Sequence, residues 1–305
     1  MHYCYAKFNG LDLLCLRVGG PGLGNLLFPW ARAKLLAKMC GYHFISPTWP
    51  QLKIGPALRR EFDSRNYVGI FKPLPEEVHG LRRFFVLLTH RRISEYYHDQ
   101  AKAGDIIVVS GQGNSFQGFE GQSIYLRDAL MKMSVKNRVF ELEQLYKCEQ
   151  AIAVHVRYGD FIKLDSKNIQ TGLGNSRLPI EWYVAAVNSL REELGARVAV
   201  NLFSDAKDNE LAPLMELPVV TRITGNSAIE DMLLLGRHRV LVASGSTFSM
   251  WGAYLGQLPT LWFPGSKEFC LLDDSECEIE YAPGQDLKAF CNRVSSRMAS
   301  PTPFM

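Results

Sequence analysis

The chain has 305 residues, 47% hydrophobic and 21% charged, an ordinary make-up for a soluble globular protein with material for one large domain or two. Its net charge of +3 is too small to point to nucleic acid, and is compatible with an anionic substrate or with contact at an anionic membrane surface. Seven cysteines, an odd number with no CxxC pair, indicate neither a disulfide framework nor a zinc site, although Cys270 and Cys277 could pair in an exported protein.

The first expected strand runs from Leu11 to Val18. The glycine-dense turn Gly19-Gly20-Pro21-Gly22-Leu23-Gly24 follows, and then a helix from Asn25 to about Cys40, in which Leu27, Ala31, Leu35 and Met39 share a face. Pro29 is tolerable there only near the first turn. Gly41 is a natural stop, and residues 42–46 suit a second strand. Residues 47–104 hold prolines, aromatic residues and the arginine pairs Arg59-Arg60, Arg82-Arg83 and Arg91-Arg92, a mixture that suggests helices and loops in no clear order. Residues 105–110 read as a buried strand ending in a loop rich in Gly, Gln and Asn. Beyond residue 150 the pattern is regular. Strands are expected at 151–157, 197–203, 219–223, 240–243 and 260–263, alternating with helices at 179–194, 208–216, 228–237 and 246–255, with a last helix at 286–298. Such alternation implies parallel sheets whose ligands bind at the carboxyl edge. The weakest stretch lies near 141–150, so the domains are expected at 1–148 and 149–284, with 285–305 a C-terminal helix and tail. Gly-Leu-Gly-Asn occurs at 22–25 and again at 172–175, too short to mark a repeat.

Four polar clusters fall at strand ends. The glycine turn is neither a dinucleotide fingerprint, since Asn25 stands where the third glycine belongs, nor a P-loop, since no Gly-Lys-Ser/Thr follows. Gly22 and Gly24 would allow a ligand close to the backbone, with Asn25 beside it, and the helix N-terminus favours a negative group; a ligand-free turn explains the glycines equally well. In His155-Val-Arg-Tyr-Gly-Asp160, alternation puts His155 and Arg157 on one side of a strand end. Arg157 offers a planar fork of donors suited to phosphate, and Asp160 can orient it; a structural ion pair is the competing explanation. Ser204 and Asp205 end the next strand, where the carboxylate could accept two hydrogen bonds from a guanine or either residue could cap a helix. Ser246, Thr247, Phe248 and Ser249 open a helix straight after a strand, an anion site for a diphosphate or a simple cap.

Taken in order, these segments resemble glycosyltransferase family 11, the α-1,2-fucosyltransferases. Gly20-Pro-Gly-Leu-Gly-Asn-Leu-Leu-Phe-Pro-Trp-Ala31 looks like that family's opening, and His155-Val-Arg-Tyr-Gly-Asp160 like its His-x-Arg-x-Gly-Asp motif. Leu178-Pro-Ile-Glu-Trp-Tyr183, Phe203-Ser-Asp205, Asp231-Met-Leu-Leu-Leu235 and Ser244-Gly-Ser-Thr-Phe-Ser-Met-Trp-Gly-Ala-Tyr-Leu255 also fit. Leu26, Gly245 and Met250 depart from the usual residues, which bears on sugar and acceptor specificity. The resemblance implies an α/β fold of GT-B type, two Rossmann-like domains with parallel sheets facing a central cleft. The first domain would serve the acceptor and the second a GDP-sugar. It implies inverting transfer of fucose from GDP-fucose to a hydroxyl of a galactose-containing glycan acceptor, with no cofactor.

With no Asp-x-Asp element in the sequence, a metal-independent reaction is expected, in which Arg157 and the 246–249 helix start stabilise the leaving diphosphate. Asp205 would then read guanine, and His155 would contact the nucleotide or position the sugar. Asp160 or Glu120 is the candidate base, and Trp30, Phe116, Phe119 and Tyr158 are candidates either for stacking on sugars or for the core. A different linkage, another GDP-sugar, or a non-catalytic glycan- or nucleotide-binding module of the same fold are the alternatives. With no run of 18 apolar residues and no leader-like start, neither a membrane span nor a signal peptide is expected. The expected location is the cytoplasm, with at most peripheral contact at the inner face of a membrane.

Overall fold

The computed structural model describes residues 2–53, 55, 65–162, 176–267 and 269–299. The Arg59-Arg60 pair and the second Gly-Leu-Gly-Asn lie outside them. Two compact units emerge, one of residues 1–120 with 128–136 and one of residues 121–127 with 137–305.

The first unit begins with β1 (Tyr3–Lys7), β2 (Leu11–Asp12) and β3 (Arg17–Val18), followed by α1 (Leu23–Cys40), β4 (His43–Ile45) and β5 (Gln51–Leu52). After these come α2 (Gly80–Thr89), β6 (Arg92–Ser94) and β7 (Ile106–Ser110), and α3 (Ser123–Met133) carries the chain across the division between units. The main sheet has the order β4-β1-β7-β6, with every pairing parallel. The long strand expected at 11–18 is absent. A positive φ at Leu14 interrupts it, and only its ends are extended, pairing with each other and with β5 in a small second sheet. The strand that organises the unit is β1, whose Tyr3, Cys4, Tyr5 and Ala6 are all buried. Helix α1 starts at Leu23 rather than Asn25, so Pro29 is an interior residue; lacking an N–H, it leaves the Asn25 carbonyl without its helical donor. Gly41 ends the helix in the left-handed region at φ 66°.

The second unit holds α4 (Val139–Tyr146), β8 (Ile152–Val156), α5 (Ile180–Leu194), β9 (Val200–Ser204), α6 (Asp208–Met215) and β10 (Val220–Arg222). It continues with α7 (Ala228–Leu235), β11 (Val240–Val242), α8 (Thr247–Gly256), β12 (Thr260–Trp262), β13 (Glu278–Glu280) and α9 (Lys288–Ala299). Its six-stranded sheet has the order β10-β9-β8-β11-β12-β13, entirely parallel. Counted from β8 this is the 3-2-1-4-5-6 arrangement of a doubly wound, Rossmann-type sheet. Strands buried on both faces account for the apolar runs 152–156 and 240–242. Ile152, Val154 and Val156 pack with Trp182, Tyr183, Val187 and Leu190 of α5 in the unit's core.

Helix α4 belongs to this unit, which places the division ahead of the expected 148/149 boundary. Glu143 pairs with Arg237 at 2.7 Å, and the Tyr146 carbonyl accepts from Asn201 at 3.0 Å. The last helix is part of the unit too, since Phe290, Cys291 and Val294 of α9 lie in the same core. All seven cysteines are free thiols, Cys270 exposed and Cys277 buried against Asp274. No helix among the described residues is long and apolar enough to cross a membrane.

Candidate active site

In open parallel sheets a crevice forms outside the carboxyl ends of two neighbouring strands whose connections run in opposite directions. In the second unit those neighbours are β8 and β11. The end of β8 carries His155, and β11 leads into Ser244 and the start of α8. His155 Nδ1 lies 2.6 Å from Ser249 Oγ and 2.9 Å from Ser244 Oγ, and the imidazole stacks on Phe248 with ring centroids 5.0 Å apart. Ser244 Oγ also meets Ser246 Oγ at 2.9 Å and Ser249 Oγ at 2.8 Å. Ser246 is the N-cap of α8, accepting from the Ser249 amide at 3.3 Å, and the first turn of that helix has no acidic residue. This network seals the strand end to the helix start. Burial holds the His155 pKa down at about 3, with the Arg157 charge adding to the effect and Asp205 opposing it, so the imidazole is neutral.

The strand ends at Val156, and Arg157 finds other partners than His155 does. Its NH1 lies 2.5 Å from Asp205 Oδ2 and its NH2 2.5 Å from Asp160 Oδ1, and the guanidinium sits over the Phe161 ring at 5.5 Å. Each terminal nitrogen of the guanidinium is thus turned to an aspartate. Asp205 Oδ1 meanwhile accepts from the Tyr158 amide at 2.8 Å and the Gly159 amide at 3.1 Å. One carboxylate from the end of β9 therefore shapes the whole 157–160 turn. A two-pronged guanine contact by Asp205, as expected from the sequence, meets a group whose two oxygens already hold three partners. Ser204 Oγ accepts from the Ala206 amide at 3.0 Å within its own loop, while the N-cap of the following helix is Lys207. Ser249 is fully buried beneath His155, so it is a support for the helix start; Thr247 and Phe248 are the partly exposed members of that group.

Gly22, Gly24 and Asn25 form a separate group in the first unit. There a cavity of about 50 Å³ opens beside the carboxyl ends of the neighbouring strands β1 and β7, lined by Asn9, Pro21, Asn25, Leu26, Pro29, Gly111 and Gln112. Asn25 Oδ1 is buried without a hydrogen-bond partner. Gly22 is the N-cap of α1, with ordinary φ and no side chain capping the helix, and a Cβ placed there would meet nothing within 4 Å. The glycine the backbone requires is Gly20, at φ +121°, where a Cβ would come within 2.7 Å of the Asn9 carbonyl oxygen.

Residues that sequence reasoning missed hold this turn in place. Buried Arg17 donates to the carbonyls of Thr48 at 2.7 Å and Asn9 at 2.9 Å, and to Gln51 Oε1 at 2.9 Å. Arg83 donates to Ser46 O at 2.6 Å and Thr48 Oγ1 at 2.6 Å. Neither has a local sequence signal, because apart from Asn9 the partners named lie thirty-one or more residues away. Trp30, Phe116, Phe119 and Tyr158 are buried, which settles them as core packing, with Phe116 edge-on to both Phe28 and Phe119. Glu120 accepts from the Gly118 amide of its own loop at 3.3 Å.

The model described as "Glycosyl transferase family 11" matches residues 109–262. The chain is 27% identical over 139 residues to the O-antigen biosynthesis glycosyltransferase WbnK of Escherichia coli, a stretch covering 42% of this chain and 45% of that protein. It is 25% identical over 151 residues to an alpha-1,2-colitosyltransferase of Escherichia coli, covering 45% and 50%. The chain thus matches about half the length of these curated relatives. Among solved structures it is similar to the fucosyltransferase NodZ from Bradyrhizobium, with a TM-score of 0.51 at 15% identity, over 86% of this chain and 96% of that one. At that identity the likeness bears on fold, and it agrees with a GT-B fold of two Rossmann-like domains with parallel sheets.

Proposed function

The chain belongs to glycosyl transferase family 11, and from that premise we propose that it transfers fucose from GDP-fucose to a hydroxyl of a glycan acceptor, O2 of a galactose, with inversion and without a metal ion. The observation that carries this reading is Arg157, held at the carboxyl end of β8 by two aspartates, in the same unit as the α8 N-terminus that His155 seals to β8 at the sheet's switch point. As the acceptor oxygen attacks the anomeric carbon, the bond to the diphosphate breaks and its electrons pass to GDP. The Arg157 guanidinium and the α8 amides are the groups that meet that growing charge. His155 is a positioning residue: being neutral and buried, it fixes the helix start without offering charge. The acceptor's proton passes to a base, for which Asp160 and Glu120 are the candidates, to be separated by Asp160→Asn and Glu120→Gln.

A second reading has the relative named alpha-1,2-colitosyltransferase in its favour: the same linkage with colitose in place of fucose. The deciding experiment is transfer from labelled GDP-fucose to a panel of galactose-ended acceptors in EDTA, with linkage analysis of the product. An α-1,2 fucoside is expected. Activity with the colitosyl donor alone would establish the second reading. Activity abolished by EDTA and restored by Mn²⁺ would overturn metal independence.

A further inference from the structure

Helix α2 wears apolar residues on both of its faces. Val86 and Leu87 face inward and join a core with Tyr3, Tyr5, Ile45, Val78 and Ile106. On the outward side Leu81, Phe85 and Leu88 are 88%, 63% and 71% exposed. Their i, i+4, i+7 spacing makes them one continuous ridge, where a helix of a soluble protein normally carries polar groups.

Along the helix and its exit the charge has one sign, although exposed Glu76 precedes the segment and Glu95, paired with Arg32, follows it. Residues 78–94 contain Arg82, Arg83, Arg91 and Arg92 and no acidic residue. Arg83 is turned inward to Ser46 and Thr48, and Arg91 is paired with Asp105. Arg82 and Arg92 are exposed, and neither has a carboxylate partner among the described residues. Arg82 stands beside Leu81 in the first turn, while Arg92 donates to the Leu87 carbonyl at 2.6 Å, which fixes its guanidinium at the helix's last turn. A cation thus flanks each end of an apolar ridge.

We propose that α2 is a docking element for an anionic phospholipid surface, with Leu81, Phe85 and Leu88 entering the acyl boundary and Arg82 and Arg92 meeting headgroup phosphates. Apolar insertion combined with flanking cations is the chemistry of a helix lying in a bilayer interface. A second copy of the chain fits the ridge less well. A two-fold contact would set arginines against arginines, and three side chains fall far short of the ~800 Å² per partner of a stable interface. The inference is independent of which sugar is transferred.

Vesicle flotation of the full chain tests it, comparing pure phosphatidylcholine with phosphatidylcholine containing about 30% phosphatidylglycerol, at about 0.1 M and about 1 M salt. The chain should float with the anionic vesicles at low salt and largely release at high salt. Leu81→Ser with Phe85→Ser and Leu88→Ser, and separately Arg82→Glu with Arg92→Glu, should each cut the bound fraction about tenfold. Far-UV circular dichroism and Tm should stay unchanged in both variants, because the substituted side chains are exposed. No binding to anionic vesicles, or binding unchanged in either variant, overturns the proposal. So does concentration-dependent dimerisation without lipid that the serine variant abolishes.

Discussion

Each main sheet opens a recess at the carboxyl ends of two neighbouring strands, β1 and β7 in the first unit and β8 and β11 in the second, and the two places are furnished differently. The first is lined by the amides Asn9, Asn25 and Gln112 with Gly111, Leu26, Pro21 and Pro29, and no ionisable side chain among the described residues lines it. The second gathers a guanidinium, two carboxylates, a neutral imidazole and a helix start. Parallel sheets of different strand order thus carry a neutral hydrogen-bonding recess in one half and a charged one in the other. Amides suit the hydroxyls of a sugar, and a guanidinium suits a diphosphate. Fold alone does not assign these roles; the side chains at the strand ends do.

That contrast can be broken at its charged end first. Arg157→Ala should lower kcat/KM by at least ~10³, about 4 kcal/mol of transition-state stabilisation, and Arg157→Lys should recover little of it because a point charge cannot replace the fork. Steady-state kinetics on protein with an unchanged circular-dichroism spectrum decides, and near-normal turnover would end the phosphate role. The next largest effect belongs to the other end. Gly20→Ala forces a Cβ against Asn9 O at a positive φ and should destabilise the first unit by ~1–3 kcal/mol, read as a drop in denaturation midpoint.

The pH response sharpens the comparison, because it is specific to the second unit. The His155 pKa is lowered from 6.5 to about 3 by burial, so the unfolded chain takes up a proton that the folded chain refuses. This contribution to stability is complete above pH 6.5 and is lost as pH falls toward 3, at ~1.4 kcal/mol per pH unit. His238, lowered by burial to about 4, acts in the same direction. In urea titrations from pH 7 to 4, His155→Asn should show the shallower loss; parallel curves for the two proteins would refute the buried neutral imidazole. Two smaller effects test the first unit. Asn25→Ala should raise the acceptor KM about tenfold while leaving GDP affinity within about twofold, as isothermal titration would show. Gly22→Ala, entering open space at ordinary φ, should cost under about 1 kcal/mol in stability, so that any larger loss of activity reports a ligand at that spot.

Much of the second unit was legible because parallel strands buried on both faces read as short apolar runs, and each run ends in the polar residues that the crevice requires. Helix α1 and its Gly41 stop were legible for the same local reasons. The first unit was less so. Its central strand, Tyr-Cys-Tyr-Ala-Lys, carries no β-branched residue, whereas the leucines at 11–14 imitate a strand that the backbone turn at Leu14 interrupts. Of the candidate site, the sequence showed that Arg157 stands at a strand end and that 246–249 opens a helix, but not where the hydroxyls of Ser249 and Ser204 point. Spacing shows which residues stand near a helix start, not which hydroxyl turns inward to a histidine or back to its own loop.

The aspartate pair on Arg157 has a further consequence. With Asp160 and Asp205 both ionised, the trio carries a net charge of −1 (+1 − 2) before any donor arrives. A pyrophosphate entering here does not neutralise a bare cation; it competes with anions already seated, and Asp160, the more solvent-accessible of the two, is the one placed to swing away. Nucleotide affinity should therefore respond only weakly to ionic strength, since counterions are exchanged rather than expelled. Inorganic anions should also bind weakly here, because they would have to displace a tethered carboxylate without the rest of a nucleotide to hold them.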